Sequence, residues 1–343
     1  MKNRILVFSD VKKSEILEVE TKSVAADEVL IKIDSCGLCT WERHIYSGKE
    51  PAGFPFHGGH EIAGTVVEFG KNVTGLTVGA PAAVVSWKRC NACDPCRKGF
   101  DNHCESMSGD LPQGTLWGPG GFAEYIVVKN YEVFPLGNKV PLHYGTLAEP
   151  LSCVTRGVKR SHIKTGDTAV VVGAGIMGLL FMKVLQYRGV QVIVAEIDAK
   201  RRNLASTMGA EYTINPAEVD WQEQIMKITK GKGAETVFYT AGGGEMINNC
   251  MKVTAIGGSV VIYAPIHSTK TVLESDIIHY NELNIIGTIR HDKESVFEAV
   301  RILGSGKLDL TGLNLVNGNL YDIVAEMEKA DNDLDIHRIL LKP

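Results

Sequence analysis

The chain has no strong charge bias, no long hydrophobic run, no internal repeat and no low-complexity segment. With Lys+Arg 36 against Asp+Glu 40, its formal net charge is −4, which gives no electrostatic case for nucleic acid or an anionic membrane. The longest uncharged apolar stretch, Thr168 to Met182, is cut by glycines and falls short of a membrane-spanning helix. The first ten residues hold only the apolar run Ile5 to Phe8, too short for the core of a signal peptide, so a cytoplasmic protein is expected. Hydrophobic residues make up 44% of 343 positions, enough for a soluble globular protein and too many positions for one ordinary core, so two domains are expected.

Four of the eight cysteines fall within fifteen residues: Cys90, Cys93, Cys96 and Cys104. Cys-x-x-Cys turns present successive sulfurs on one side of a knuckle. Two overlapping knuckles plus a fourth cysteine a short loop later can close a tetrahedral thiolate cage. In a reducing compartment clustered cysteines are metal ligands more often than disulfides. The spacing predicts a structural Zn²⁺, and a closed cage leaves no position open for chemistry.

The first third is β-rich, with Val29-Leu-Ile-Lys-Ile, Ile62-Ala-Gly-Thr-Val-Val, Ala82-Ala-Val-Val-Ser and Ala123-Glu-Tyr-Ile-Val-Val as short apolar runs. A helical segment is expected from Thr146 to Lys159. Strands at Thr168–Val172, Gln191–Ala195, Thr236–Thr240, Ser259–Tyr263 and Asn284–Thr288 follow, with helices around Ile176–Tyr187, Ala199–Met208 and Glu245–Val253. Such alternation with β-branched, non-alternating strands marks a parallel sheet covered on both faces. From Lys293 the tail reads as helix, loop, then a short strand His337–Leu341.

Val170-Val-Val-Gly173-Ala-Gly175-Ile-Met177-Gly178 runs a strand into Gly-x-Gly-x-x-Gly at a helix start. Gly173 permits the tight turn, Gly175 lets a pyrophosphate approach the backbone, and Gly178 lets helix and strand pack closely. Gly173, Gly175, Met177 and Gly178 are therefore the candidate phosphate-binding positions. Glu196 ends the next strand, eighteen residues after Gly178. A carboxylate there accepts from ribose hydroxyls and repels a 2′-phosphate, which favours NAD over NADP. Arg201 could either neutralise a 2′-phosphate or pack over the adenine.

A second constellation is Cys36-Gly-Leu-Cys39-Thr-Trp-Glu-Arg-His44, followed by Phe56-His-Gly-Gly-His60-Glu61. By residue type alone Cys36 and Cys39 fit a buried free pair or a redox pair as well as a ligand site. Together Cys39, His60 and Glu61 offer a thiolate, an imidazole and a carboxylate, the mixed set of a zinc that keeps an exchangeable position. Glu149 adds a carboxylate at the start of the crossover helix.

In order along nearly the whole length, Cys-Gly-x-Cys, Gly-His-Glu, the four-cysteine lobe, Glu-Pro-Leu and Gly-Ala-Gly-x-x-Gly make the chain resemble the zinc-dependent medium-chain alcohol dehydrogenases. The resemblance is greatest to their polyol (sorbitol-type) and threonine dehydrogenase branches. It implies an α/β fold with a GroES-like, β-rich catalytic domain (1–150 and 290–343, structural zinc lobe near 88–105) and an inserted Rossmann doubly wound parallel sheet (151–289). It implies two zincs per chain, one catalytic and one structural, an NAD cofactor, a small-molecule alcohol or ketone substrate, and a homodimer or homotetramer. By the same resemblance Cys39, His60 and Glu61 are the catalytic zinc ligands, and Glu149 either ligates the zinc or holds its water. His44 is the outer member of a proton relay, and Arg290 lies near nicotinamide and substrate. Cys36 matches a position that is not a ligand.

One residue departs from the pattern. Relatives carry Ser or Thr two positions after the zinc cysteine, where a hydroxyl passes on the alcohol proton. Here the position is Trp41, and Thr40 replaces it in that role only if its side chain turns inward; otherwise Glu149 and zinc-bound water carry the proton. Trp41 itself is expected to narrow the pocket or stack on a sugar-like ring, the alternative being a plain packing residue. The activity expected is NAD(P)-dependent alcohol or polyol dehydrogenation, hydride moving between a secondary alcohol and nicotinamide. The alternatives are a physiological reductase of a ketone or sugar phosphate, and a non-catalytic NAD-binding zinc protein that would have lost its open-site ligands.

Overall fold

The structure is a computed structural model that describes residues 1–343 except 87, 108–115, 138 and 267–269. It divides into two compact units, Met1–Leu151 with Asp292–Gly306 and Asn314–Pro343, and Ser152–His291 with Lys307–Leu313.

The first unit opens with an antiparallel hairpin, Lys2–Asp10 and Lys13–Glu20. Its main sheet runs Leu315–Asn319, Arg338–Lys342, Glu28–Gly37, Glu61–Phe69, Pro81–Val85 and Val133–Pro135, with Tyr125–Lys129 also on Glu28–Gly37. One register pair brings the two candidate-ligand segments side by side. Gly37 lies opposite Glu61, and Cys36 opposite Ile62. A Cβ at Gly37 would collide with the Glu61 Oε2 atom, so glycine there makes room for the carboxylate. The core beneath holds Ile31, Ile45, Phe56, Ile62 and Phe122, each fully or almost fully buried.

The second unit is a six-stranded parallel sheet in the order Tyr212–Ile214, Gln191–Ala195, Thr168–Val172, Ala234–Tyr239, Thr254–Ile262, Asn284–Gly287. Counted from the first strand this is 3-2-1-4-5-6, the doubly wound dinucleotide order. Val170, Val171, Ile193, Val237, Phe238, Val260 and Val261 are all buried, as expected of strands covered on both faces.

The expected strands and helices of this unit form where the sequence placed them, within a residue or two at most ends. The strand Thr254–Ile262 starts five residues earlier than expected, and Tyr212–Ile214 is too short to show an apolar pattern. The tail differs from expectation. Between the helix Lys293–Gly304 and the last strand there is a strand, Leu315–Asn319, and a helix, Ile323–Asn332. The strand gains its place by parallel pairing with Arg338–Lys342. The helix buries only Ile323 and Met327, so neither shows a strong local period. Among the described residues no helix is long and apolar enough to cross a membrane.

Candidate active site

The chain leaves the strand Glu28–Gly37 and passes through Leu38 and Cys39 into the helix Thr40–Ser47. Cys39 is its N-cap, in extended conformation. This start puts Glu42 in the first helical turn, where a carboxylate is favoured by the helix dipole. Glu42 and Ile45 form the buried side of the helix. Glu42 is fully buried. Its Oε1 accepts from His60 Nδ1 at 2.6 Å and from the Gly59 amide at 3.1 Å. The other imidazole nitrogen, Nε2, lies 4.0 Å from Glu149 Oε2.

These bonds sort the donors. His60, Glu61 and Glu149 offer ligand atoms all within 4.8 Å of one another, and so do Cys39, Glu42 and His60. Since Glu42 occupies Nδ1, the imidazole is left with Nε2 for a metal. Glu42 is then the carboxylate behind the histidine, fixing its tautomer and ring orientation. Burial opposes a proton on His60, but Glu42 and Cys39 outweigh it and hold its pKa well above the ordinary value.

Glu61 has a different partner. Its Oε1 pairs with Arg338 Nη2 at 2.8 Å, both side chains almost wholly buried. Arg338 also donates to the Leu38 carbonyl at 3.2 Å, which ties the last strand to the start of the ligand loop. Burial pushes the Glu61 carboxyl up to about 7 against the pull of Arg338 and His60. Its Oε2 is buried without a hydrogen-bond partner. An orphaned carboxylate oxygen in a group with an imidazole and a second carboxylate, on the histidine that the Cys39 thiol also approaches, is the chemistry of a zinc site with mixed donors. Cys36 stays outside: it is buried, and burial pushes its thiol well above the usual range.

Two sequence candidates do not join this cluster. Thr40 is exposed, and its hydroxyl accepts from the Arg43 guanidinium at 3.1 Å instead of turning inward. It therefore does not supply the hydroxyl missing at Trp41. His44 sits about 200° around the helix from Glu42. It lines a surface cavity of about 360 Å³ with Lys12, Arg43, Glu328 and Asp331. Two residues that sequence reasoning missed, Glu42 and Arg338, hold the candidate ligands in place.

In the cysteine lobe the four sulfurs of Cys90, Cys93, Cys96 and Cys104 lie within 4.8 Å of one another, and none is in a disulfide. The Cys90 sulfur accepts from the amides of Ala92 and Cys93 at 3.4 and 3.2 Å, and the Cys104 sulfur from the Cys90 amide at 3.2 Å. These amides favour thiolates, and those on the Cys90 sulfur pull its pKa down. Asn91 takes the left-handed conformation, φ 57°, that lets the first knuckle close. Buried Arg89 pairs with Asp101, and Lys293 reaches Asn91, so the lobe is anchored to the start of the helix Lys293–Gly304. Four convergent thiols with amide donors fit a closed zinc cage.

In the second unit Gly173 has φ 98°, and a Cβ there would press on Ala241 and Thr240. A Cβ at Gly178 would collide with the Gly173 carbonyl, whereas one at Gly175 would meet nothing within 4 Å. Gly173 and Gly178 thus serve the fold, and the open space over Gly175 is where a ligand can approach the backbone. Gly175 caps the helix Ile176–Tyr187, whose first amides, Met177 among them, face outward without a side-chain cap.

Glu196 is nearly buried, its two oxygens accepting from the Ala174 and Asp198 amides at 2.7 and 2.8 Å, which holds the carboxylate beside the glycine turn. Arg201 lies in the first turn of the next helix, its amide donating to Asp198. It is the neighbouring Arg202 that folds back onto the Glu196 and Ile197 carbonyls. Arg290 is exposed just past the last parallel strand, with φ 58°.

The chain matches the alcohol dehydrogenase GroES-like domain over residues 25–138 and the zinc-binding dehydrogenase model over 177–305. It is 33% identical to L-threonine 3-dehydrogenase of Pyrococcus horikoshii over 306 residues, 87% of this chain and 86% of that one. It is 30% identical to 2-dehydro-3-deoxy-L-galactonate 5-dehydrogenase of Pseudoalteromonas atlantica, covering 87% and 86%. The structure of a zinc-binding dehydrogenase of Sinorhizobium meliloti bound to NADP superposes with a TM-score of 0.86 over 100% of both chains, at 26% identity.

Proposed function

The chain belongs to the zinc-dependent medium-chain dehydrogenases, and on that premise we propose that it moves a hydride between a secondary alcohol of a polyol, cyclitol or sugar-like substrate and NAD(P). The observation that carries this reading is the donor set around His60. Two groups of donors share His60, one bringing the Cys39 thiol and the other the Glu61 and Glu149 carboxylates, with their supporting partners in place. A zinc-binding protein that used the fold only as a scaffold would have no reason to keep them.

Cys39, His60, Glu61 and Glu149 are the proposed ligands of the catalytic zinc, and Cys90, Cys93, Cys96 and Cys104 those of the structural one. A zinc in the first site supplies a Lewis acid for the substrate oxygen, and the nicotinamide supplies the hydride acceptor or donor. The chain's own part is to hold that geometry. Glu42 keeps His60 Nε2 forward, Arg338 holds one oxygen of Glu61, and Gly175 opens the backbone to the pyrophosphate.

Glu196 supports NAD as the preferred cofactor, since its anchored carboxylate would repel a 2′-phosphate. Threonine and sugar-acid dehydrogenases among the relatives support a secondary alcohol. The reading includes a cytoplasmic homo-oligomer. Among the described residues the strand Asn284–Gly287 is the outermost of its sheet, and it and the exposed Ile256 and Tyr280 are candidates for subunit contact.

The test is a panel of polyols, cyclitols, aldonates and L-threonine with NAD and NADP, read at the nicotinamide absorbance, beside zinc analysis. We expect about two zincs per chain and turnover that Cys39→Ala abolishes without unfolding the protein. Turnover that survives Cys39→Ala would sink the zinc-dependent mechanism.

A further inference from the structure

Trp41 takes the position where the family pattern has a small hydroxyl residue, and its surroundings are aromatic. Its indole stands edge-on to the His60 imidazole, with centroids 5.6 Å apart and planes at 70°. It meets Phe56 at 5.5 Å and 88°, and Trp117 at 6.3 Å and 64°. Phe56 is fully buried and packs on Trp117 at 5.0 Å. Both indoles are only half-buried.

The backbone ties Trp117 to the segment that leads to His60. The His57 amide donates to the Trp117 carbonyl at 2.7 Å, and the Trp117 amide to the Pro55 carbonyl at 3.3 Å. Trp41 is fixed by the helix that begins at Cys39. Each ring is therefore carried by or tied to the segments that place the candidate ligands, Cys39 two residues before Trp41 and His60 four after Phe56.

We propose that Trp41 and Trp117 form a two-walled aromatic corner that binds the C–H face of a cyclic polyol or sugar ring, and so set the substrate class of the site. This rests on the dehydrogenase reading above. Two indoles at a steep angle offer a broad apolar surface that a ring can cover with its C–H face while its hydroxyls stay at the rim. A short secondary alcohol covers little of it. The contact is made equally in ground and transition states, so it acts on binding and leaves the chemical step alone.

The experiment compares wild type with Trp41→Leu, which stays apolar and introduces no hydroxyl, and with Trp41→Phe. Substrates are a ring polyol of the inositol type, 2,3-butanediol and L-threonine, with zinc content measured throughout. Trp41→Leu should raise KM for the ring polyol about tenfold with kcat within about twofold, and leave KM for butanediol within about twofold. Trp41→Phe should recover most of the loss.

Equal changes for ring and short substrates, or none for either, overturn the aromatic corner. So does a KM rise confined to L-threonine, which would show an ammonium group on the indole face. A wild-type enzyme inert toward every alcohol overturns the dehydrogenase reading itself, and is distinguishable because no variant is needed to see it.

Discussion

Glu42 offers the sharpest test of the proposed zinc site, because its role is legible only in three dimensions. Glu42→Ala removes two hydrogen bonds, from His60 Nδ1 at 2.6 Å and from the Gly59 amide at 3.1 Å, at a fully buried position. Each donor left unpaired in the interior costs about 1–3 kcal/mol. The imidazole is also released to rotate. We expect about 3 kcal/mol lost from catalytic zinc binding, roughly 100-fold, at the upper end for partners that orient a metal-bound histidine.

Glu42→Gln keeps an acceptor at Oε1 but puts an amide donor where Oε2 has no partner, so a loss nearer tenfold is expected. The assay is chelator competition on the holoenzyme with zinc counted per chain. The four-cysteine site serves as the internal control. If both variants hold the catalytic zinc as tightly as wild type, Glu42 is a bystander and the assignment of Nε2 to the metal loses its support. Release of both zincs together would point to general unfolding.

Four further substitutions have outcomes that the structure sets. Gly175→Ala should leave Tm within about 2 °C while weakening NAD binding at least about tenfold, because a Cβ there meets only open space. Gly178→Ala should lower Tm instead, since its Cβ strikes the Gly173 carbonyl; equal thermal loss in both variants would refute the division of labour. Cys104→Ser should release one zinc per chain and lower Tm by about 5 °C or more while kcat per remaining catalytic zinc holds; an unchanged zinc count would refute the cage. Glu28, bonded by Lys22 and then by the Ala25 amide and Lys129, has its carboxyl lowered to about 2 from 4.5. Its stabilisation is present above the ordinary carboxylate pKa and lost as pH falls from about 4.5 to about 2, worth about 1–2 kcal/mol after discounting the exposed lysines. Glu28→Gln should therefore unfold less steeply over that window in acid titration, and parallel wild-type and variant curves would refute the coupling.

The parallel-sheet unit was readable because its signals are local. Thr168–Val172 and Gln191–Ala195 are buried on both faces, so their whole composition announces them, and the glycine turn lies between two such elements. The ligand candidates were readable for a related reason: Cys39, His60 and Glu61 sit in short motifs whose residue types are rare together. Their supports were not. Arg338 lies 277 positions beyond Glu61, and only the antiparallel pairing of Arg338–Lys342 with Glu28–Gly37 brings it to that carboxylate. Glu42 stood inside the quoted motif, yet in a sequence it is one acid among several on a short helix. What singles it out is the N-cap at Cys39, which fixes the first turn, and the approach of Gly59 and His60, seventeen and eighteen positions further along the chain. The same contacts settle Thr40, whose hydroxyl the Arg43 guanidinium holds on the exposed side. Trp41 then remains the residue of that turn whose ring stands against the His60 imidazole, so the proposed consequence of the departure from the family pattern is on binding before it is on reaction.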